Sequence, residues 1–294
     1  MELQDRLEEL SASGIGIAAI SYDSPEVLAE FAERRGIRFP LLADVDSSVI
    51  TEFGILNTVA AEGVGPNKDD PNVVADVAKY VSVFGSNQMI VGTPYPGTFM
   101  LDAQGRVSSR FFEEFYRERN TTSNVMLKLG IGVSPIAAIE GSTAQLKFTA
   151  YPSNSSITVG TRFSIAVDVE PNEEMHVYAP GAEGKGYRVI GLNLEEESMV
   201  RYEPVEFPES EIYYFEPLDE YVPVYHEPFT ILQEIVVNAD ETVEARMAEM
   251  DTLTLSGSLE FQACDDEICY LPTTIPLSFT LDLDNPDRQR ATTR

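Results

Sequence analysis

The run TLTLSGSLEFQACDDEICYLPTTIPLSFTL, residues 252–281, decides the fold of the carboxy-terminal half. Two short alternating or β-branched runs, Thr252–Ala263 and Thr274–Leu281, flank a charged turn, the pattern of strands that bury one face. Taken as antiparallel strands joined by Asp265–Ile268, with the second starting near Tyr270, they set Cys264 opposite Cys269. Directly opposed residues lie roughly 4.5 to 5.5 Å apart at Cα, inside the window a disulfide tolerates.

Upstream the same texture recurs at Leu146–Tyr151, Arg162–Val169, Met175–Tyr178 and Ile231–Val237, with turn residues between the runs and almost no helical periodicity. An antiparallel β-sandwich is expected over residues 143–282. The tail, 283–294, is expected to be disordered. Residues 120–142 combine a short helical run with Gly130, Gly132, Pro135 and Gly141 and are expected to link two domains.

Residues 1–119 have a different rhythm. Gly16–Ser21 is a short apolar strand; Ser24 caps a helix that has Pro25 at its first position and runs to Gly36. Phe39–Ala43 leads through Asp44 into another helical stretch ending near Gly54, and Phe99–Asp102 with Arg106–Phe111 forms a hairpin turning at Gln104–Gly105. Residues 57–91 are irregular and suggest an inserted loop with a short helix over Val73–Val83. Strands alternating with helices imply an α/β layer fold.

A chain of 294 residues exceeds what one core usually organises, so two domains are expected. No run approaches the eighteen or so apolar residues of a membrane helix, so no membrane insertion is expected. With 49 acidic against 20 basic residues the formal charge is −29, which repels phosphate backbones and makes nucleic acid an unsuitable partner. Met1–Leu10 lacks the basic head and apolar core of a signal peptide. No metal site and no cofactor are expected, because Cys264, Cys269, His176 and His226 lack the spacing of a zinc finger. Gly181–Tyr187 lacks the Ser or Thr that a phosphate loop needs after Gly-Lys.

The two cysteines, five positions apart, are best treated as a pair. Three states are open: a redox-active disulfide, a structural disulfide, and reduced thiols. A staple closing about six residues is worth about 2 kcal/mol by the chain-entropy argument, a weak motive beside exchange with another protein's thiolate. Asp265, Asp266 and Glu267 disfavour a free thiolate, so a partner would have to supply the activated sulfur.

Two family resemblances follow from spaced motifs. Ser21-Tyr-Asp-Ser-Pro25, Phe39-Pro-Leu-Leu-Ala-Asp44, Phe53-Gly54 and Pro94-Tyr-Pro-Gly-Thr-Phe-Met-Leu-Asp-Ala-Gln-Gly-Arg106 resemble peroxiredoxins of the alkyl hydroperoxide reductase and thiol-specific antioxidant type over residues 1 to about 115. That resemblance implies a thioredoxin-like fold and puts Pro96 at the family's cis-proline position. It also implies that the chain begins inside the helix preceding Gly14, without the family's first strand and cysteine motif. Either the true start lies upstream or the domain is degenerate and docks; an open sheet edge would then invite self-association. With no cysteine before Cys264, peroxide reduction is not expected of this chain.

Gln262-Ala-Cys264, Cys269-Tyr270 with Pro272, and Met175-His-Val-Tyr178 resemble the amino-terminal domain of DsbD-type thiol:disulfide interchange proteins over about 143–282. This implies an immunoglobulin-like sandwich with catalytic Cys264 and Cys269, Tyr270 beside them, His176 and Tyr178 at the positions of near-site tyrosines, and Asp219, Glu220 and Tyr221 in a cap. His176 departs from the family's tyrosine. The implied function is a thiol:disulfide oxidoreductase relaying electrons between thioredoxin-like proteins, outside the cytoplasm, with the redoxin domain as recipient in a full-length form. The alternative is a noncatalytic interaction module with a structural disulfide.

Overall fold

A computed structural model of the chain describes residues 2–84, 91–112, 118–131 and 135–284. It divides into two compact units, Met1–Tyr116 and Arg117–Asp287.

In the first unit the elements run α1 (Glu2–Asp5), α2 (Leu7–Ala12), β1 (Ala19–Ser21), α3 (Pro25–Arg35), β2 (Leu41–Ala43), α4 (Ser48–Glu52), α5 (Thr58–Val64), α6 (Pro71–Phe84), β3 (Gly97–Leu101) and β4 (Val107–Phe112). α3 forms as its signals direct. The Ser24 hydroxyl accepts from the Val27 N–H, and Gly36 ends the helix at φ +63, a conformation glycine adopts without strain. β1 and β2 pair in parallel through this helix, and β3 and β4 pair antiparallel. Residues 57–84 hold two helices where a loop and one short helix were expected. The Asn57 side chain accepts from the Ala60 N–H and starts α5, and Pro71 opens an α6 of 14 residues. Residues 85–90 lie outside the described residues. The peptide bond into Pro96 is trans, not the family's cis. Trans is the default for X–Pro by about 0.5–1 kcal/mol, and the Tyr95 N–H bonded to the Ile55 carbonyl at 2.7 Å holds this segment extended.

The second unit runs β5 (Arg119–Asn120), α7 (Thr122–Lys128), β6 (Ile139–Ser142), β7 (Leu146–Pro152), β8 (Ser156–Ile157), β9 (Thr161–Pro171), β10 (His176–Tyr178), β11 (Gly191–Leu194), β12 (Val200–Glu206), β13 (Glu211–Phe215), β14 (Glu220–Tyr225), β15 (Phe229–Val237), α8 (Glu241–Met247), β16 (Thr252–Phe261), β17 (Ala263–Cys264) and β18 (Thr273–Leu283). One large sheet has the order β12-β15-β9-β7-β6 with β5 joined to β9; a second has the order β11-β16-β18-β8. Their inward residues form one core: Phe163, Ile165, Val167, Ile231 and Ile235 cluster with Leu255, Leu259, Phe261, Leu277 and Phe279. Each such burial is worth about 1.5–3 kcal/mol, which makes this sandwich the stable body of the unit. A third, smaller sheet, β13-β14-β10-β17, carries the cysteine pair.

The stretch expected to be a linker, 120–142, is instead built into the sandwich. β5 pairs with β9, β6 pairs with β7, and α7 is capped by the Thr121 hydroxyl, which accepts from the Asn124 N–H. The cause is a buried polar cluster. Asn124 Nδ2 donates to Glu234 Oε2 at 3.0 Å, Ser164 Oγ donates to Asn124 Oδ1 at 2.6 Å, and Lys128 Nζ lies 2.5 Å from Glu234. Arg162 bridges Glu234 and Glu118, and Arg201 holds Glu118 through two bonds of 2.7 Å. Those cations hold the Glu118 and Glu234 carboxyls below the usual range against the opposing effect of burial. Once buried, each of these charges needs its partner, so α7 cannot leave the sheet cheaply.

α8 also departs from the expectation of an all-strand domain; Asp240 caps it, and Val243 and Met247 turn inward. The expected tail from residue 285 lies outside the described residues, while β18 continues to Leu283.

Candidate functional site

Cys264 lies where the chain changes sheets. The β16–β18 ladder ends at Phe261↔Thr273; two residues later Ala263 pairs with Val177 and Cys264 with His176 across β17 and β10. Cys264 and Cys269 face each other as expected, in an antiparallel bridge closed by Asp265–Ile268, but that bridge stands apart from the long ladder and the second strand starts at Thr273, not near Tyr270. Past the end of that ladder, β10 is the strand that pairs with Ala263–Cys264. The cysteines are disulfide-bonded with Cα atoms 4.1 Å apart. The two sulfurs differ in access, since Cys264 is 0% exposed whereas Cys269 is half-buried.

The loop is closed by its own side chains. The Asp265 carboxylate accepts from the N–H groups of Glu267 (2.8 Å) and Ile268 (2.6 Å) and from the Tyr270 hydroxyl (2.9 Å). Those backbone donors hold the Asp265 carboxyl below its ordinary range, and the same carboxylate raises the Tyr270 phenol. Gln262 ties the base by donating to the Tyr270 carbonyl and accepting from the Arg188 N–H. Asp266 accepts from the Tyr213 hydroxyl at 2.7 Å, anchoring the loop to β13.

Behind the disulfide the Tyr178 hydroxyl is 2.9 Å from Cys264 Sγ and 3.3 Å from Cys269 Sγ. A disulfide has no S–H, so the phenol donates. Burial, with Tyr187 alongside, pushes the Tyr178 phenol far above its ordinary range and keeps it a donor. The Tyr178 ring stacks on Tyr187 at 4.0 Å. Tyr187 donates in turn to Glu220, which also meets Lys185 at 3.5 Å; burial and then Glu220 push the Tyr187 phenol up to about 12.

His176 is 1% exposed, directly opposite Cys264, and its Nε2 has no hydrogen-bond partner among the described residues. Its ring packs on Tyr213 (4.5 Å), His226 (5.5 Å) and Tyr178 (5.7 Å). Burial, then His226, lowers its pKa to about 4, against the opposing pull of Asp266 and Asp265.

The residues expected in a cap form the β13–β14 hairpin. Asp219 sits in its turn and accepts from the Tyr214 hydroxyl at 2.8 Å; Tyr221 is 65% exposed with its ring on Tyr214 at 4.9 Å. Glu220 points to Tyr187 instead, on the inner side. Tyr187, Tyr213 and His226 were not legible as near-site residues: Tyr187 comes from the loop before β11 onto Tyr178, Tyr213 from β13 and His226 from just after β14 onto His176, and no local motif marks them. Ile268 and Leu271, 54% and 87% exposed, flank Cys269 and give its rim an apolar character.

Residues 1–110 match the family model described as the AhpC/TSA family, and residues 146–280 match that of "Thiol:disulfide interchange protein DsbD, N-terminal". Peroxiredoxin Bcp of Escherichia coli (strain K12) is 42% identical over 53 residues, 18% of this chain and 34% of that protein. A putative peroxiredoxin of Mycobacterium tuberculosis (strain H37Rv) is 40% identical over 53 residues, with the same coverage of 18% and 34%. The chain thus spans about a third of the length of the curated relatives it matches. Among solved structures, the Neisseria meningitidis DsbD n-terminal domain in the reduced form is 14% identical, covering 40% of this chain and 81% of that one with a TM-score of 0.28. The N-terminal periplasmic domain of ScsB from Proteus mirabilis is 14% identical, covering 50% of each chain with a TM-score of 0.34. Both motif resemblances therefore stand: a thioredoxin-like redoxin region is followed by an immunoglobulin-like region of the DsbD amino-terminal type.

Proposed function

We propose that this chain is a thiol:disulfide oxidoreductase that passes electrons between thioredoxin-like proteins through Cys264 and Cys269. The observation that carries this reading is the unequal access of the two sulfurs in a bonded pair, with Cys269 at an apolar rim and Cys264 buried against a phenol donor.

A donor thiolate attacks Cys269 Sγ, forming a mixed disulfide and breaking the Cys264–Cys269 bond; Cys264 leaves with the electron pair. Tyr178 is placed to donate to that thiolate in a site where an unsolvated anion would otherwise be costly. The donor's second sulfur, having given its proton to solvent, then attacks its own partner sulfur as a thiolate and releases Cys269; Cys264 and Cys269 each take up a proton, leaving the donor oxidised and this pair reduced to two thiols. With an acceptor disulfide the same steps run backwards.

Asp265 is already occupied by three donors within the loop, so its charge serves turn geometry more than thiol chemistry. Both cysteines of the sequence lie in the second region, so the exchange chemistry is assigned there, with the redoxin region as the natural recipient in a full-length form. Self-association through the edge of the β1–β2 sheet, where Leu42 is 49% exposed, and action outside the cytoplasm belong to the same proposal.

Redox titration against thioredoxin-like couples tests it. The relay requires a potential within reach of those partners, whereas a structural staple should lie below roughly −300 mV. A value far below that bound would make the disulfide a staple and the chain an interaction module.

A further inference from the structure

We infer that His176 is the general base of the Cys264 thiol, taking its proton through Nε2 when the reduced pair closes again to the disulfide. The inference rests on the exchange reading above and adds a residue to it.

Closure needs a thiolate at Cys264, because the thiol form does not attack a disulfide. That sulfur is fully buried, so water is not at hand to take the proton. The neighbouring acid–base groups are otherwise engaged. Tyr178 is a donor held protonated, Asp265 is filled by Glu267, Ile268 and Tyr270, and Asp266 is bonded to Tyr213. Glu220 is bonded to Tyr187.

His176 has a buried, unpartnered Nε2 and stands in direct register with Cys264. Opposed residues of an antiparallel pair share a face, with Cβ atoms about 4.5–5.5 Å apart, which puts the His176 and Cys264 side chains on one face of the β10–β17 pair. A buried polar atom without a partner costs free energy, and the S–H of the reduced state is a donor the disulfide state lacks.

The groups facing the imidazole are Tyr178 on its own strand, Tyr213 of β13, His226 after β14, Asp265 and Asp266 of the loop, and Cys264. In the disulfide state burial keeps the ring neutral. A Cys264 thiolate supplies the adjacent negative charge that favours the protonated ring.

The closing sequence with a disulfide acceptor balances as follows. The half-buried Cys269 thiol gives its proton to solvent, and its thiolate attacks the acceptor, forming a mixed disulfide and expelling one acceptor thiolate, which takes up a proton from solvent. His176 Nε2 takes the Cys264 proton; the Cys264 thiolate then attacks Cys269 Sγ, forming the intramolecular bond and expelling the second acceptor thiolate. The imidazolium proton goes to that leaving thiolate. Two electrons have moved to the acceptor and the ring is neutral again.

Oxidation of the reduced full chain by oxidised glutathione, followed by acid quenching and mass spectrometry, reads the two steps separately. His176→Phe and His176→Gln should form the Cys269 mixed disulfide at the native rate but close about 10²-fold more slowly at neutral pH, and lose the native pH dependence of closure. Closure at native rates in both folded variants would overturn the inference. Imidazole NMR of the native chain covers the case in which neither variant folds. The His176 titration should move to higher pH on reduction, and an unchanged midpoint would also overturn it. Because glutathione is the oxidant, this result is separate from the relay: a chain that refuses thioredoxin-like partners but shows the His176 effect would lose only the relay.

Discussion

The Tyr178 hydroxyl bridges both halves of the disulfide, 2.9 Å from Cys264 Sγ and 3.3 Å from Cys269 Sγ. One fixed donor therefore serves the bond before it breaks and the sulfur that departs. Tyr178→Phe keeps the ring that stacks on Tyr187 and removes the hydroxyl with its bonds to the sulfurs and to Tyr187, so folding should change by about 1 kcal/mol. Reduction by dithiothreitol should slow by about tenfold, the equivalent of roughly 1.4 kcal/mol in the barrier. Stopped-flow reduction of the two proteins at one pH checks this.

The difference in access between the sulfurs predicts which one meets a partner. Cys264→Ser leaves the rim thiol Cys269 free and should trap a mixed disulfide with a thioredoxin-like protein, visible on a non-reducing gel. Cys269→Ser leaves only a buried thiol and should trap little or none.

His176 makes stability depend on pH in a defined window. Its folded-state pKa is lowered, from 6.5 to about 4, so below pH 6.5 the unfolded chain binds a proton that the folded chain refuses. Stability is then full above pH 6.5 and falls as the pH drops toward 4, by about 3 kcal/mol at most for a shift of this size. Urea unfolding of the second unit's signal at pH 7 and pH 4.5 should show this decline. His176→Phe should flatten the part that belongs to this residue.

Glu234 binds the segment 118–128 to the sandwich through Lys128, Arg162 and Asn124. Glu234→Ala removes the anion that Lys128 and Arg162 share, leaving Arg162 to Glu118 and Glu203 and Lys128 to Glu206, and should destabilise the second unit by about 1–3 kcal/mol. Urea denaturation measures it, and hydrogen exchange should show α7 opening first.

Alternation and turn chemistry made the strands β7, β9, β15, β16 and β18 legible, because a strand with one buried face writes its period into the sequence. The α3 helix was equally plain from Ser24, Pro25 and Gly36. The spacing of Cys264 and Cys269 pointed to a bonded pair, and the redoxin and DsbD-type motifs marked both regions. The reach of the sandwich to residue 119 was hidden. Its determinants, Glu118, Asn124, Arg162, Arg201 and Glu234, are polar residues scattered over more than a hundred positions, and burial alone turns them into a cluster. The surroundings of the disulfide were hidden for a related reason. Cys264 leaves the strand that precedes it and pairs with His176, eighty-eight positions upstream. Local pattern reports on the faces of single strands; which buried groups meet is set by pairing between strands far apart in the chain, and that pairing exists only in the folded protein.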